Sequence, residues 1–111
     1  MPTVKTEGSR LAAKILADRK YSHAVRDLAQ LLGITCKQAA DASYRNRKHI
    51  LALIEAHLDA SRKRQASGSW LYDRSRHILL SEALINEVAA INLMQDAAIA
   101  QMQRELERLA A

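Results

Sequence analysis

The sequence predicts an all-α protein in which several short helices precede one long C-terminal helix. Three observations carry that reading. Apolar residues recur at intervals of three and four through most of the chain. Only three Gly and one Pro punctuate 111 residues, while Ala, Leu, Arg and Gln abound. Aromatic residues are scarce, with no Phe, three Tyr and one Trp. That composition argues against a sandwich or barrel. The length fits one small domain, or one domain with a helical extension.

Met1–Gly8, with Pro2, Thr3, Thr6 and Gly8, reads as a loose tail. Ser9 can cap a first helix reaching about Lys20, with Leu11, Ile15 and Leu16 on one face. Tyr21-Ser22 interrupts it, and Ser22 is the expected N-cap of a second helix, His23 to Leu32. Val25, Leu28, Ala29 and Leu32 form its apolar stripe, and Gly33 follows where a C-terminal glycine belongs. Thr35-Cys36-Lys37-Gln38 has the form of a capping box, so a third helix starts at Cys36.

Ser43–Arg47 is the weakest helical stretch before a fourth helix, Lys48 to about Gln65, with Ile50, Leu53, Ile54 and Leu58 as its core stripe. Whether helices three and four are separate or continuous stays open at this point. Ser67-Gly68-Ser69 is the internal linker. Nothing breaks a helix from Trp70 to Leu109. About 40 helical residues span roughly 60 Å, too long to fold back on so small a domain, so this helix is expected to need a partner. The expected organisation is a tail at 1–8, a bundle at 9–66, a linker at 67–69 and the long helix at 70–111.

Heptads counted from Ile78 put Ile78, Ile85, Asn92, Ile99 and Leu106 at a, and Ser81, Val88, Gln95, Met102 and Leu109 at d. β-branched residues at a with one central Asn match a two-stranded seam, since a buried Asn pairs best with its own copy. Leu84, Ile91 and Ala98 fall at g and widen the apolar face, while Leu79 and Leu93 lie at b. The expected dimerisation set is therefore the a and d residues other than Ser81, together with Leu84 and Ile91. A homodimer is the expectation, with a higher oligomer or a monomeric hairpin with helix four as competitors; strand orientation is open.

Charge is unevenly placed. Of 17 basic and 12 acidic side chains, 15 and 7 respectively precede Ile78. A basic front joined to a slightly acidic back suggests that the front meets a polyanion. Cys36 is the only cysteine, which excludes an intrachain disulfide and fits a reducing, cytoplasmic setting. No secretory signal and no apolar run of bilayer length is apparent. The scattered glycines form no phosphate loop, and His23, His49, His57 and His77 lack metal spacing. No catalytic constellation, cofactor or metal is therefore expected.

Val25, Leu28, Ala29, Leu32, Gly33 and Ile34 carry the strongest motif. The segment Val25 to Tyr44 resembles the helix-turn-helix of bacterial, phage and plasmid DNA-binding regulators. Two helices that cross closely need a small residue at the contact, here Ala29. The turn four residues later needs a residue tolerant of positive φ, here Gly33. The resemblance spans 20 residues and identifies a superfamily. It departs from the usual pattern at Ala39 and Ala42, where larger aliphatics are common; either the helix packs unusually close or the register shifts by one residue.

By this resemblance the third helix is the recognition helix, and Cys36, Lys37, Ala40, Asp41 and Tyr44 face outward from it. Lys37 would donate to guanine, Gln38 would pair with adenine, Asp41 would accept from cytosine, and Ala40 would meet a thymine methyl. Arg26, Arg45, Arg47 and Lys48 are the expected phosphate contacts. Arg62-Lys63-Arg64 and Arg10, Lys14, Arg19 and Lys20 are left unassigned. The expected function is a dimeric transcriptional repressor that reads an inverted repeat in double-stranded DNA. Two other readings compete: a phage packaging (small terminase-like) or DNA-architecture protein, and a coiled-coil adaptor using Leu79, Leu93 and Met94.

Overall fold

The computed structural model describes Ser9, Ala12, Ala13 and residues 15–111. Regular structure among them is all helical: α1 (His23–Leu32), α2 (Cys36–Ala40), α3 (Tyr44–Ala66) and α4 (Arg74–Ala110). Residues 15–18 are helical too. The expected tail and Leu11 of the first helix lie outside the described residues. Ile15 and Leu16, expected on one face with it, are both exposed.

The chain divides into two compact units, Met1–Ala40 and Asp41–Ala111. The expected bundle at 9–66 is thus split, because α3 packs along α4. In the first unit, the Ser22 hydroxyl caps α1 by accepting the Val25 N–H at 3.2 Å. Gly33 closes α1 with φ 67°, and the Ile34 N–H returns to the Ala29 carbonyl at 3.0 Å. A left-handed residue is needed there to turn the chain while satisfying those carbonyls.

The second unit is an antiparallel hairpin. Its polar pairs show the direction: Ser61 meets His77, His57 meets Arg76, Arg47 meets Glu87 and Tyr44 meets Gln95. The end of α3 meets the start of α4 at His57, Ser61, Arg76 and His77, and the start of α3 meets residues 87 and 95 further along. Ile50, Ile54, Leu58 and Leu80 are taken fully out of water at the seam, and Ile91 extends it. Burial of this kind contributes about 1.5–3 kcal/mol per side chain.

The weak stretch Ser43–Arg47 proves to be a helix start. The Ser43 hydroxyl accepts the Asn46 N–H at 3.2 Å, and the Asn46 amide donates to the Asp41 carbonyl at 2.8 Å. Helices three and four are therefore separate, joined by Asp41-Ala42-Ser43. At the other end, Gly68 turns with φ 67°. α4 begins at Arg74 instead of Trp70 because the Asp73 carboxylate caps it, accepting the Arg76 N–H at 3.1 Å. Trp70 is left at the hairpin tip, 90% exposed.

The long helix does fold back, contrary to the expectation from its length. The 23 residues of α3 cover only part of the 37 in α4. Since Tyr44 at the start of α3 meets Gln95, residues 96–110 run on for about 22 Å past that point, and residues 101–111 are all exposed. Leu84 and Ile91, expected in a dimer seam, belong instead to the α3-facing line with Leu80 and Glu87. By length and composition α4 is also apolar enough to cross a membrane, which the sequence reading missed. Its apolar residues occupy two faces, and only one of them meets α3.

One charge interrupts that α3-facing line. Arg47 Nη1 donates to Glu87 Oε1 at 2.9 Å with both side chains largely buried, while Glu87 Oε2 is buried without a hydrogen-bond partner. Burial therefore raises the Glu87 carboxyl above its ordinary 4.5, and Arg47 opposes this only in part.

Two outcomes follow for unfolding in urea. Leu80→Ala, emptying the centre of the seam, is expected to cost about 2–5 kcal/mol. Because folded Glu87 holds its proton more tightly than the unfolded chain does, its contribution to stability declines as pH rises from 4.5 through the raised value. Compared with Glu87→Gln, the native protein should lose stability as pH climbs through that window; a constant difference between the two would contradict it.

Candidate nucleic-acid interface

The first unit holds two short helices joined by the three-residue turn Gly33-Ile34-Thr35. Their contact is made of small side chains. Ala29, Cys36 and Ala39 are buried together, with Tyr21, Val25, Leu28 and Ile34 packed around them. Ala39 is only 1% exposed. Methyl groups at the crossing let the backbones approach, and a larger residue at either position would push them apart.

The capping box forms in both directions. The Gln38 N–H donates to Thr35 Oγ1 at 3.1 Å, and the Thr35 N–H donates to Gln38 Oε1 at 3.0 Å. This fixes the first turn of α2. It also commits the amide oxygen of Gln38, the acceptor that pairing with adenine N6 requires.

The outward set differs from the expected one because α2 is five residues long and ends at Ala40. Cys36 points inward. Lys37 and Ala40 are exposed on α2 as anticipated. Ala42, expected inward, is exposed in the joint. Asp41 and Tyr44 fall in the second unit, beyond α2. The Asp41 carboxylate accepts the Ser43 N–H at 2.9 Å. Hydrogen bonds from the Ser43 backbone and hydroxyl, helped by the charge of Arg47, hold it below its ordinary range. Tyr44 opens α3, and its hydroxyl accepts from Gln95 Nε2 at 3.0 Å.

The four expected phosphate contacts also sort by environment. Arg45 and Lys48 are exposed on the first turns of α3, with the Lys48 ammonium 5.5 Å from the Tyr44 ring centroid. Arg26 is half-buried on α1, its Nη2 3.2 Å from His23 Nδ1. Arg47 is withdrawn from any phosphate role by its ion pair with Glu87, its side chain only 14% exposed. Sequence reasoning missed Glu87 as that partner, although the spacing Leu80, Leu84, Glu87, Ile91 places it on one helix face. Among the described residues no three His, Cys, Asp or Glu side chains converge to hold a metal.

Ala39→Leu should force α1 and α2 apart and cost about 1–3 kcal/mol, read by urea unfolding followed through helical circular dichroism; an unchanged midpoint would mean the two helices are not in close contact. No protein-family model, no curated protein and no solved structure matches this chain.

Proposed function

We propose that the protein binds double-stranded DNA sequence-specifically through α1, the turn and α2, and acts as a dimeric transcriptional repressor at an inverted repeat. The observation that supports this reading is the joint itself: two helices in contact through alanines, a left-handed glycine, and a reciprocal cap fixing the helix that carries Lys37 outward. A helix of that kind enters the major groove with its first residues toward base edges. Lys37 donates to guanine O6 or N7, and Ala40 meets a thymine methyl. Arg26, Arg45 and Lys48 neutralise phosphates.

The base-contact set is narrower than the sequence suggested, with Cys36 buried, Asp41 engaged by Ser43 and Tyr44 on another helix. Five residues of helix read few base pairs, which is poor discrimination in a genome. Two copies related by a two-fold axis would read two half-sites. A dimer seated across a promoter would exclude polymerase, and its own concentration would set the degree of repression.

Selection of bound duplexes from a random pool at near-physiological salt tests this. An enriched inverted repeat is expected. Lys37→Ala should weaken binding to it by about 1–3 kcal/mol and relax one position. Arg45→Ala should weaken all sequences alike and lower the log–log salt slope by about 0.9. Retention without enrichment would replace the repressor by an architectural or packaging protein, and no retention would end the DNA reading.

A further inference from the structure

We infer that a second copy of this chain docks on the uncovered face of α4 in antiparallel orientation, with the two-fold axis passing between Leu93 and Met94. This rests on the dimeric part of the preceding proposal and on nothing in its DNA part. The face is defined by exposure. Ile78, Ile85, Val88, Ile99, Met102 and Leu106 each leave two-fifths or more of their surface in water. They share a stripe about a quarter turn from the line Leu80, Leu84, Glu87, Ile91 that meets α3. The stripe is therefore free along the whole helix while the hairpin stays intact.

Its composition is symmetric about its middle. Asn92 and Gln95 sit at the centre, and apolar residues extend to either side. Antiparallel pairing across that centre sets Val88 against Ile99 of the second copy and Ile85 against Met102 of the second copy. Ile78 then reaches Leu109 of the second copy at each end. The two central amides face each other, Asn92 toward Gln95 of the second copy. Gln95 is already steadied by Tyr44, since its Nε2 donates to the tyrosine oxygen, and the amide oxygen is the acceptor offered to the asparagine amide.

Two further observations select antiparallel over parallel. The first is charge. The hairpin tip gathers Arg62, Lys63, Arg64, Arg74 and Arg76, against which stand only Asp59 and Asp73. The far end of α4 carries Glu105 and Glu107 with Arg104 and Arg108, and Arg108 pairs with Glu105, so that end is balanced in charge. Parallel pairing would set tip beside tip, basic against basic. Antiparallel pairing keeps the two basic tips apart and brings each to the partner's charge-balanced end. The second is length. Residues 96–110 outrun α3, and parallel pairing would leave them as a bare two-stranded extension. Antiparallel pairing lays them on the half of the partner's α4 that its own α3 supports. Each α3 then buttresses one half of the shared rod.

Cysteine cross-linking reads the orientation in the full-length chain. In a Cys36→Ala background, Ile85→Cys and Met102→Cys chains are made separately, oxidised alone, and then mixed, exchanged and oxidised. A disulfide-linked heterodimer from the mixture is expected, with little from either alone. Residue 85 lies about 25 Å along the axis from its own copy in this arrangement. Efficient self-linking of Ile85→Cys would establish a parallel dimer and overturn the orientation while leaving the dimeric reading standing. Sedimentation of the unsubstituted protein is the independent check. A mass of two chains is expected, and one chain, or more than two, would overturn the proposal whatever the variants do. Spin labels at Arg108→Cys should lie about 44 Å apart along the axis; labels in close contact would overturn it as well.

Discussion

Between α3 and α4, Ile50, Ile54, Leu58 and Leu80 leave water completely, and everything else in the second unit is arranged around keeping them there. Their spacing sets which face of each helix turns inward. That choice carries Arg47 and Glu87 into the interface, where both are largely withdrawn from water. The ion pair is a consequence of the seam more than a source of it. Removing one partner would strand a charge, whereas a well-packed apolar pair would often serve as well. An arginine that the sequence places among basic neighbours is thereby turned inward to meet a carboxylate.

The mismatch between a helix of 23 residues and one of 37 organises the rest. A long helix with one apolar face would end where its neighbour ends. This one continues, and it keeps a second apolar stripe along most of its length. Two stripes a quarter turn apart account for the membrane-like apolarity of α4 and for the wide face that the heptad count found. They differ in cover: one holds the hairpin, the other is left exposed.

What could be read from the sequence was mainly local. Ser22, Gly33, Thr35 and Gln38 act within a few residues of themselves, so their hydroxyls, amides and φ angle could be placed from the chain alone. Ser43 was misread because it acts the same way inside a stretch whose helical pattern is weak on both sides. The end of α2 at Ala40 was missed for the same reason, and with it the true surroundings of Asp41 and Tyr44. Cys36 was misplaced because a helix this short turns inward at Cys36 and Ala39, with no later turn to fix the register. The fold-back of α4 was obscured by its length, and Glu87, a charge within the line of Leu80, Leu84 and Ile91, hid the face that meets α3. A buried ion pair needs its distant partner to be recognised, and Arg47 lies 40 positions away.

The placement of Trp70 has a practical corollary for anyone following this protein by optics. The chain's single indole projects from the hairpin tip into water. Its emission in the native state should already resemble that of the unfolded chain, so denaturation curves drawn from intrinsic fluorescence would be nearly flat even as the helices melt. The same exposure makes it a quiet background for an introduced reporter. An indole put at a buried seam position in a Trp70→Tyr chain would report loss of the α3–α4 packing with no competing signal.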